Sequence, residues 1–201
     1  MTALLLYGVV ELEGGGEQPL TSGTSVVPFR DVGAVVSDTE YTRRTPGPAD
    51  VDGHRAVVEM VCARCAFLPA PVGVVFRSSD ALIRWLELHY VTLRDGLTFV
   101  EGRLGVRVHL SLRDGKLSDD VDVAAVASEA FRHFRHHAAA SMALKSVDAA
   151  RHASAAFLVE RERLNVFVDM VREEARHHPS LQFEHTGPWP PYDFVNMQFG
   201  I

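Results

Sequence analysis

Two clusters in this chain have the residue types and spacing for chemistry. The first is Cys62-Ala63-Arg64-Cys65. Two cysteines separated by two residues can form a redox dithiol or supply half of a structural zinc site. No second pair of this kind follows, and a structural zinc needs four ligands. A redox pair usually opens a helix after a strand, whereas this one is predicted to lie inside a helix beside Val58, Val61 and Leu68. There the two thiols act as small buried apolar groups. The second cluster is His133, His136 and His137. Residues three apart on a helix share a face, so His133 and His136 could approach one ion. No carboxylate lies in that turn to complete a site, and Phe131 and Phe134 take the inward direction. The expectation is a solvated face with no metal.

The remaining polar residues have simpler roles. His177 and His178 end a predicted helix, where imidazole complements the helix dipole. Glu160, Glu162, Glu173 and Glu174 alternate with Arg161, Arg163, Arg172 and Arg176, as on a charged helix surface. Gly14-Gly15-Gly16 lacks the Lys-Ser/Thr and helix start that a phosphate loop requires. No nucleophile elbow, dinucleotide fingerprint or Ser-His-Asp grouping is present. The expectation is a protein that is not an enzyme, with no catalytic residues and no cofactor.

Composition narrows the class further. The chain has 201 residues, 47% of them hydrophobic and 23% charged, which suits a folded protein of one large or two small domains. A net charge of -6 offers no basic field to collect phosphates, so nucleic acid is not an expected partner. No apolar run approaches the roughly 20 residues that span a bilayer. The apolar start lacks the basic flank of an export signal, which points to the cytoplasm and reduced thiols.

The elements that would carry these residues follow from period and punctuation. Strands are predicted over residues 3–11, 25–29, 34–37, 72–76, 105–112, 154–160 and 181–185. A helix capped by Asp50 or Asp52 is expected to run to about Phe67 and stop at Pro69. Another, capped by Ser78 or Ser79, places Ile83, Leu86, Tyr90, Leu93 and Leu97 on one stripe. Asp95-Gly96 reads as a turn and a domain boundary. Beyond it, an Ala-rich helical region starting at Asp119 or Asp120 is predicted to reach about Arg151. A last helix covers residues 161–178. The second half thus reads as a small α+β sheet with helices on one face. The domains expected are 1–95, 96–185 and a terminal segment, 186–201.

That segment contains Gly187-Pro188-Trp189-Pro190-Pro191-Tyr192-Asp193-Phe194-Val195. Pro188, Pro190 and Pro191 each fix φ and withhold a donor, so neither a helix nor a central strand can pass through. An extended strap is predicted, with Trp189, Tyr192 and Phe194 as apolar anchors.

This motif resembles the C-terminal signature of the gas vesicle GvpF/GvpL family. Upstream blocks agree in order: Leu5-Leu6-Tyr7-Gly8-Val9, the Val-rich run from Asp31 to Asp38, residues 54–61, Leu68-Pro69 with Gly73-Val74-Val75-Phe76, Gly105-Val106-Arg107-Val108, and residues 155–160. Pro71-Val72 stands where the family usually has Arg-Phe, and Leu104 where it has Trp. The resemblance implies two α+β domains, the C-terminal one a modified ferredoxin-like fold with extra helices, with the Pro-rich tail packing between them. It also implies an accessory protein of gas vesicle assembly, located with the gas vesicle in the cytoplasm. Its partners would be the hydrophobic shell subunit or other accessory gas vesicle proteins. The alternative is a minor structural component kept in the mature vesicle on its gas-facing side. F-type and L-type readings both stand, and self-association is left open.

Overall fold

A computed structural model describes residues 3–12, 23–41, 45–113, 122–145 and 152–195. The chain divides into two compact units. One runs to Gly102 and takes in Val195; the other is Arg103–Phe194.

The first unit is built on β1 (Ala3–Glu11), the inner strand of an antiparallel sheet. The hairpin β2 (Ser25–Phe29) and β3 (Val32–Thr39) pairs on one side, and the short β4 (Phe67–Pro69) and β5 (Val75–Phe76) on the other. The connection between β2 and β3 is a tight turn. Phe29 pairs directly with Val32, leaving Arg30 and Asp31 as a two-residue loop with Arg30 at φ 56°. Register on β1 breaks between Leu6 and Gly8. This bulge lets Leu4, Leu6 and Val9 share one core despite the change in parity. Gly8 is required there, because a Cβ would strike the Leu68 carbonyl and the Phe67 ring.

Helices cover both faces of this sheet. α2 (Ser79–Val100) buries Leu82, Trp85, Leu86, Leu93, Leu97 and Val100 against the Leu4, Leu6 and Val9 side. Ser78 caps it by accepting from the Ala81 amide at 3.2 Å. α1 (Pro48–Cys62) buries His54, Val58, Val61 and Cys62, and its His54 ring meets Tyr7 on the opposite side of β1.

Three sequence expectations change here. α1 starts at Pro48, with Gly47 as its cap and Asp50 inside the first turn accepting from the Gly47 amide at 2.8 Å. It ends at Cys62, because Phe67–Pro69 is drawn into the sheet beside β1. Asp95-Gly96 is no turn: α2 runs through it. A Cβ on Gly96 would come within 3.1 Å of Leu68, so this glycine serves close packing rather than a break.

The second unit reads β6 (Arg103–Leu112), α3 (Val123–Arg135), β7 (Ala140–Ala143), β8 (His152–Glu160), α4 (Leu164–His177) and β9 (Leu181–Trp189). A single 3₁₀ turn at Arg161–Arg163 leads into α4. The sheet is antiparallel in the order β7-β8-β6-β9. Val106, Val108 and Leu110 from β6 join Ala155, Phe157 and Val159 from β8 in one core under α3 and α4. Phe134, Phe157 and Phe167 pack there with ring centroids 5.3–5.9 Å apart. The helices thus lie on one face, as the alternation in β6 implies.

The expected long helix to Arg151 is cut short at Arg135. Residues 140–143 pair with β8 instead, so ladder hydrogen bonds override the helix preference of alanine. Asp122 caps α3, accepting from the Ala124 and Ala125 amides at 3.0 and 3.1 Å. The predicted caps Asp119 and Asp120 lie outside the described residues, as do the Gly14-Gly15-Gly16 loop and residues 196–201 of the tail.

Candidate functional site

The predicted tail anchors fall into two groups. β9 extends four residues beyond its predicted end, so Thr186, Gly187, Pro188 and Trp189 belong to the edge strand. An edge strand tolerates Pro188, which falls in the register shift between the Thr186–Arg107 and Trp189–Gly105 pairs. Gly187-Pro188 is a cis peptide. Pro188 is exposed and Trp189 half-buried, and the Trp189 indole donates to Thr186 Oγ1 at 3.1 Å. Pro190 and Pro191 are buried, and Tyr192–Phe194 closes into a 3₁₀ turn with Tyr192 and Phe194 half-buried. Val195 then packs on the core of the first unit.

The firmest polar hold on this segment comes from a residue that sequence reasoning passed over. Asp193 receives two hydrogen bonds from Arg107 on β6, from Nε and from Nη2, each 2.8 Å. This planar fork raises the Arg107 pKa, chiefly through the hydrogen bond to Asp193. The signal was a lone arginine between Val106 and Val108, but its acidic partner lies 86 residues away.

The cysteine pair straddles the end of α1 rather than lying within the helix. Cys62 is buried; Cys65 is half-buried, and its thiol points at the Val61 carbonyl at 3.6 Å. Burial pushes the Cys65 pKa up, which disfavours a reactive thiolate. The histidine cluster also gains a member. Glu174 on α4 sits 3.9 Å from His133 and 3.3 Å from His178, closing a surface pocket with Glu129, Arg132, His136 and His177. Sequence spacing missed this carboxylate because it comes from another helix. Among the described residues, no group of three or more His, Cys, Asp or Glu has the arrangement to hold a metal.

A further cavity lies in the first unit. It measures about 250 Å³. Leu5 and Tyr7 of β1, Val75 of β5, Val72, Pro46 and the first turns of α1 line it, with Glu40 at its polar side. His54, only 3% exposed, forms part of the wall. Its Nε2 is 3.0 Å from the Ala70 carbonyl. A carbonyl only accepts, so Nε2 carries the proton and Nδ1 is a bare acceptor. Nδ1 is buried with no partner among the described residues. Burial drives the His54 pKa down, opposed by its bond to Ala70, and keeps the ring neutral. The Tyr7 ring packs beside it, tilted by 31° with centroids 5.2 Å apart, and its hydroxyl is 3.1 Å from that of Ser37. A lone histidine in a helix carried no sequence signal for this role.

A profile of the family described as gas vesicle synthesis protein GvpL/GvpF matches residues 3–124 and 120–196. The chain belongs to the GvpL/GvpF family. Its relatives include gas vesicle protein F2 of Halobacterium salinarum, 32% identical over 181 residues, covering 87% of this chain and 81% of that protein. Gas vesicle protein F of Haloferax mediterranei is 28% identical, covering 98% and 95%. The fold also matches the crystal structure of GvpF from Anabaena sp. PCC7120, with a TM-score of 0.80 at 15% identity over 99% of this chain and 98% of that one. The GvpL/GvpF membership accords with a protein of gas vesicle formation. None of the three clusters presents a catalytic constellation, and no helix among the described residues is long and apolar enough to cross a membrane.

Proposed function

We propose that this protein is a non-catalytic assembly factor that binds the hydrophobic shell subunit, or other accessory gas vesicle proteins, while the shell forms. The observation that carries this reading is the family match running through both units, from residue 3 to residue 196. The relatives named for gas vesicles align over nearly their full length, so both units belong to the shared machinery rather than to an added module. Physical chemistry supports a covering role. A very apolar subunit free in water associates with itself, and a partner that occupies its surface suppresses that loss by mass action. The chain has apolar groups in position for such contacts: Leu88 and Val91 on α2 are 79% and 68% exposed, on the side away from the core.

The strand order of the second unit, with its β-α-β-β-α-β sequence, supports reading that unit as a modified ferredoxin-like fold. The terminal segment is read as a structural element, held within the second unit by the Arg107–Asp193 pair and by the buried Pro190 and Pro191. Recognition would then fall to other surfaces.

Co-expression with the shell subunit tests the proposal. Copurification, together with more subunit kept in the soluble fraction, is the expected result. If the protein captures neither the subunit nor another vesicle protein, the proposal fails. Detection on washed, intact vesicles would instead favour the retained-component alternative.

A further inference from the structure

The outer face of α2 carries apolar side chains that the fold leaves uncovered. Leu88 and Val91 stand on it at 79% and 68% exposure, while Leu86, Leu93 and Leu97 fill the core on the inner side. Arg84, Leu88, Val91 and Asp95 follow one another at spacings of four, three and four, so they form one stripe along the helix. All four are exposed. The stripe is apolar in the middle, cationic at one end and anionic at the other. Among the described residues, neither Arg84 nor Asp95 forms an ion pair.

This order is complementary to itself. Turned end for end about a point between His89 and Tyr90, the stripe sets Arg84 opposite Asp95 and Leu88 opposite Val91. The same point is the centre of α2, so two helices paired in this way overlap along all 22 residues, about 33 Å. Glu87 then faces Thr92, and no like charges meet on the stripe. A parallel pairing would set Arg84 on Arg84 and Asp95 on Asp95, so charge selects the antiparallel one. One patch that fits itself in this sense is what a two-fold axis requires.

We propose that the outer face of α2 binds the same face of a second copy of this chain, antiparallel about a two-fold axis. Leu88 and Val91 of the two copies leave water together, and Arg84 pairs with Asp95 at each end. One helix face per copy is smaller than the interface of an obligate dimer, so the association is reversible and depends on concentration. This pairing goes beyond the assembly reading and does not depend on it.

The test uses the full chain in sedimentation equilibrium. The expected result is a mass that rises with concentration from the 22.1 kDa of one chain toward twice that value. Leu88→Asp, at a position already 79% exposed, should leave the chain folded by circular dichroism and monomeric throughout. Arg84→Glu and Asp95→Arg should each weaken association about fivefold, since each sets like charges opposite one another at both ends. The double variant Arg84→Glu/Asp95→Arg, and an equimolar mixture of the two single variants, should both recover it, because unlike charges again stand opposite. A wild type that stays monomeric up to millimolar concentration, a dimer that survives Leu88→Asp, or charge-exchanged chains that fail to recover association would overturn the proposal. Copurification separates it from the broader function. If wild type is monomeric and Leu88→Asp loses a captured vesicle protein, the face belongs to that partner, and the assembly reading stands without the self-pairing. If wild type pairs with itself and captures nothing, the assembly reading fails and the pairing stands.

Discussion

In the terminal segment, Arg107 and Asp193 satisfy each other through two 2.8 Å bonds, whereas in the cavity wall His54 keeps one nitrogen unmatched. Both regions hold a half-buried or buried polar group on a β-rich frame. They differ in whether the chain supplies the partner. The tail also closes its own turn, with the Tyr192 amide donating to the Pro190 carbonyl at 2.7 Å and the Phe194 amide to the Pro191 carbonyl at 3.0 Å. A segment that meets its own needs contributes to the fold. One that leaves a need open carries the cost of an unmatched buried acceptor into the folded state. In the terminal motif the hydrogen-bonding need of Arg107 and Asp193 is met within the chain, whereas that of His54 Nδ1 is unmet among the described residues.

The largest test of the tail is Gly187→Ala. This residue has φ 121°, and a Cβ would lie 2.8 Å from the Gly105 carbonyl. The expected loss is about 2–3 kcal/mol in denaturant unfolding. A change below about 0.5 kcal/mol would mean that the close approach of the tail to β6 is not held in solution. Next, Asp193→Ala should lower stability by about 1–2 kcal/mol, because it leaves Arg107 without its fork. A double-mutant cycle with Arg107→Ala should recover about 1 kcal/mol of coupling. Additive losses would remove the main distinction drawn between the two regions.

The smallest effect is the pH response of the cavity side. The folded pKa of His54 lies below its unfolded value of about 6.5, so the unfolded chain takes up the proton first as pH falls. Stability from this residue is full above about pH 6.5. It is lost as pH drops from there through the folded pKa, with a slope of at most about 1.4 kcal/mol per unit. His54→Gln should flatten the stability profile between about pH 6.5 and 5. An unchanged slope would assign that dependence to other histidines.

Much of the architecture was legible locally. The limits of β1 and β2 and the Ser78 cap of α2 follow from apolar runs and capping chemistry. Gly96 and residues 140–143 misled, for related reasons. A glycine within a helix and an alanine run are weak local signals, and each is decided by a neighbour that is distant in sequence: Leu68 packs on the glycine, and β8 pairs with the alanines. The polar partnerships were hidden in the same way. Glu174 reaches His133 from another helix, and Asp193 reaches Arg107 from the other end of the unit.

By itself, the sequence determined the family, through a proline motif whose backbone restrictions are local and therefore readable. It also determined most strands, since alternation is a property of neighbouring residues. Only the tertiary structure decided which polar groups are satisfied. Hydrogen bonding acts over about 3 Å in space without regard to chain separation. That is why Asp193, a single acid in a conspicuous motif, pairs with Arg107, and why Nδ1 of His54 has no partner among the described residues.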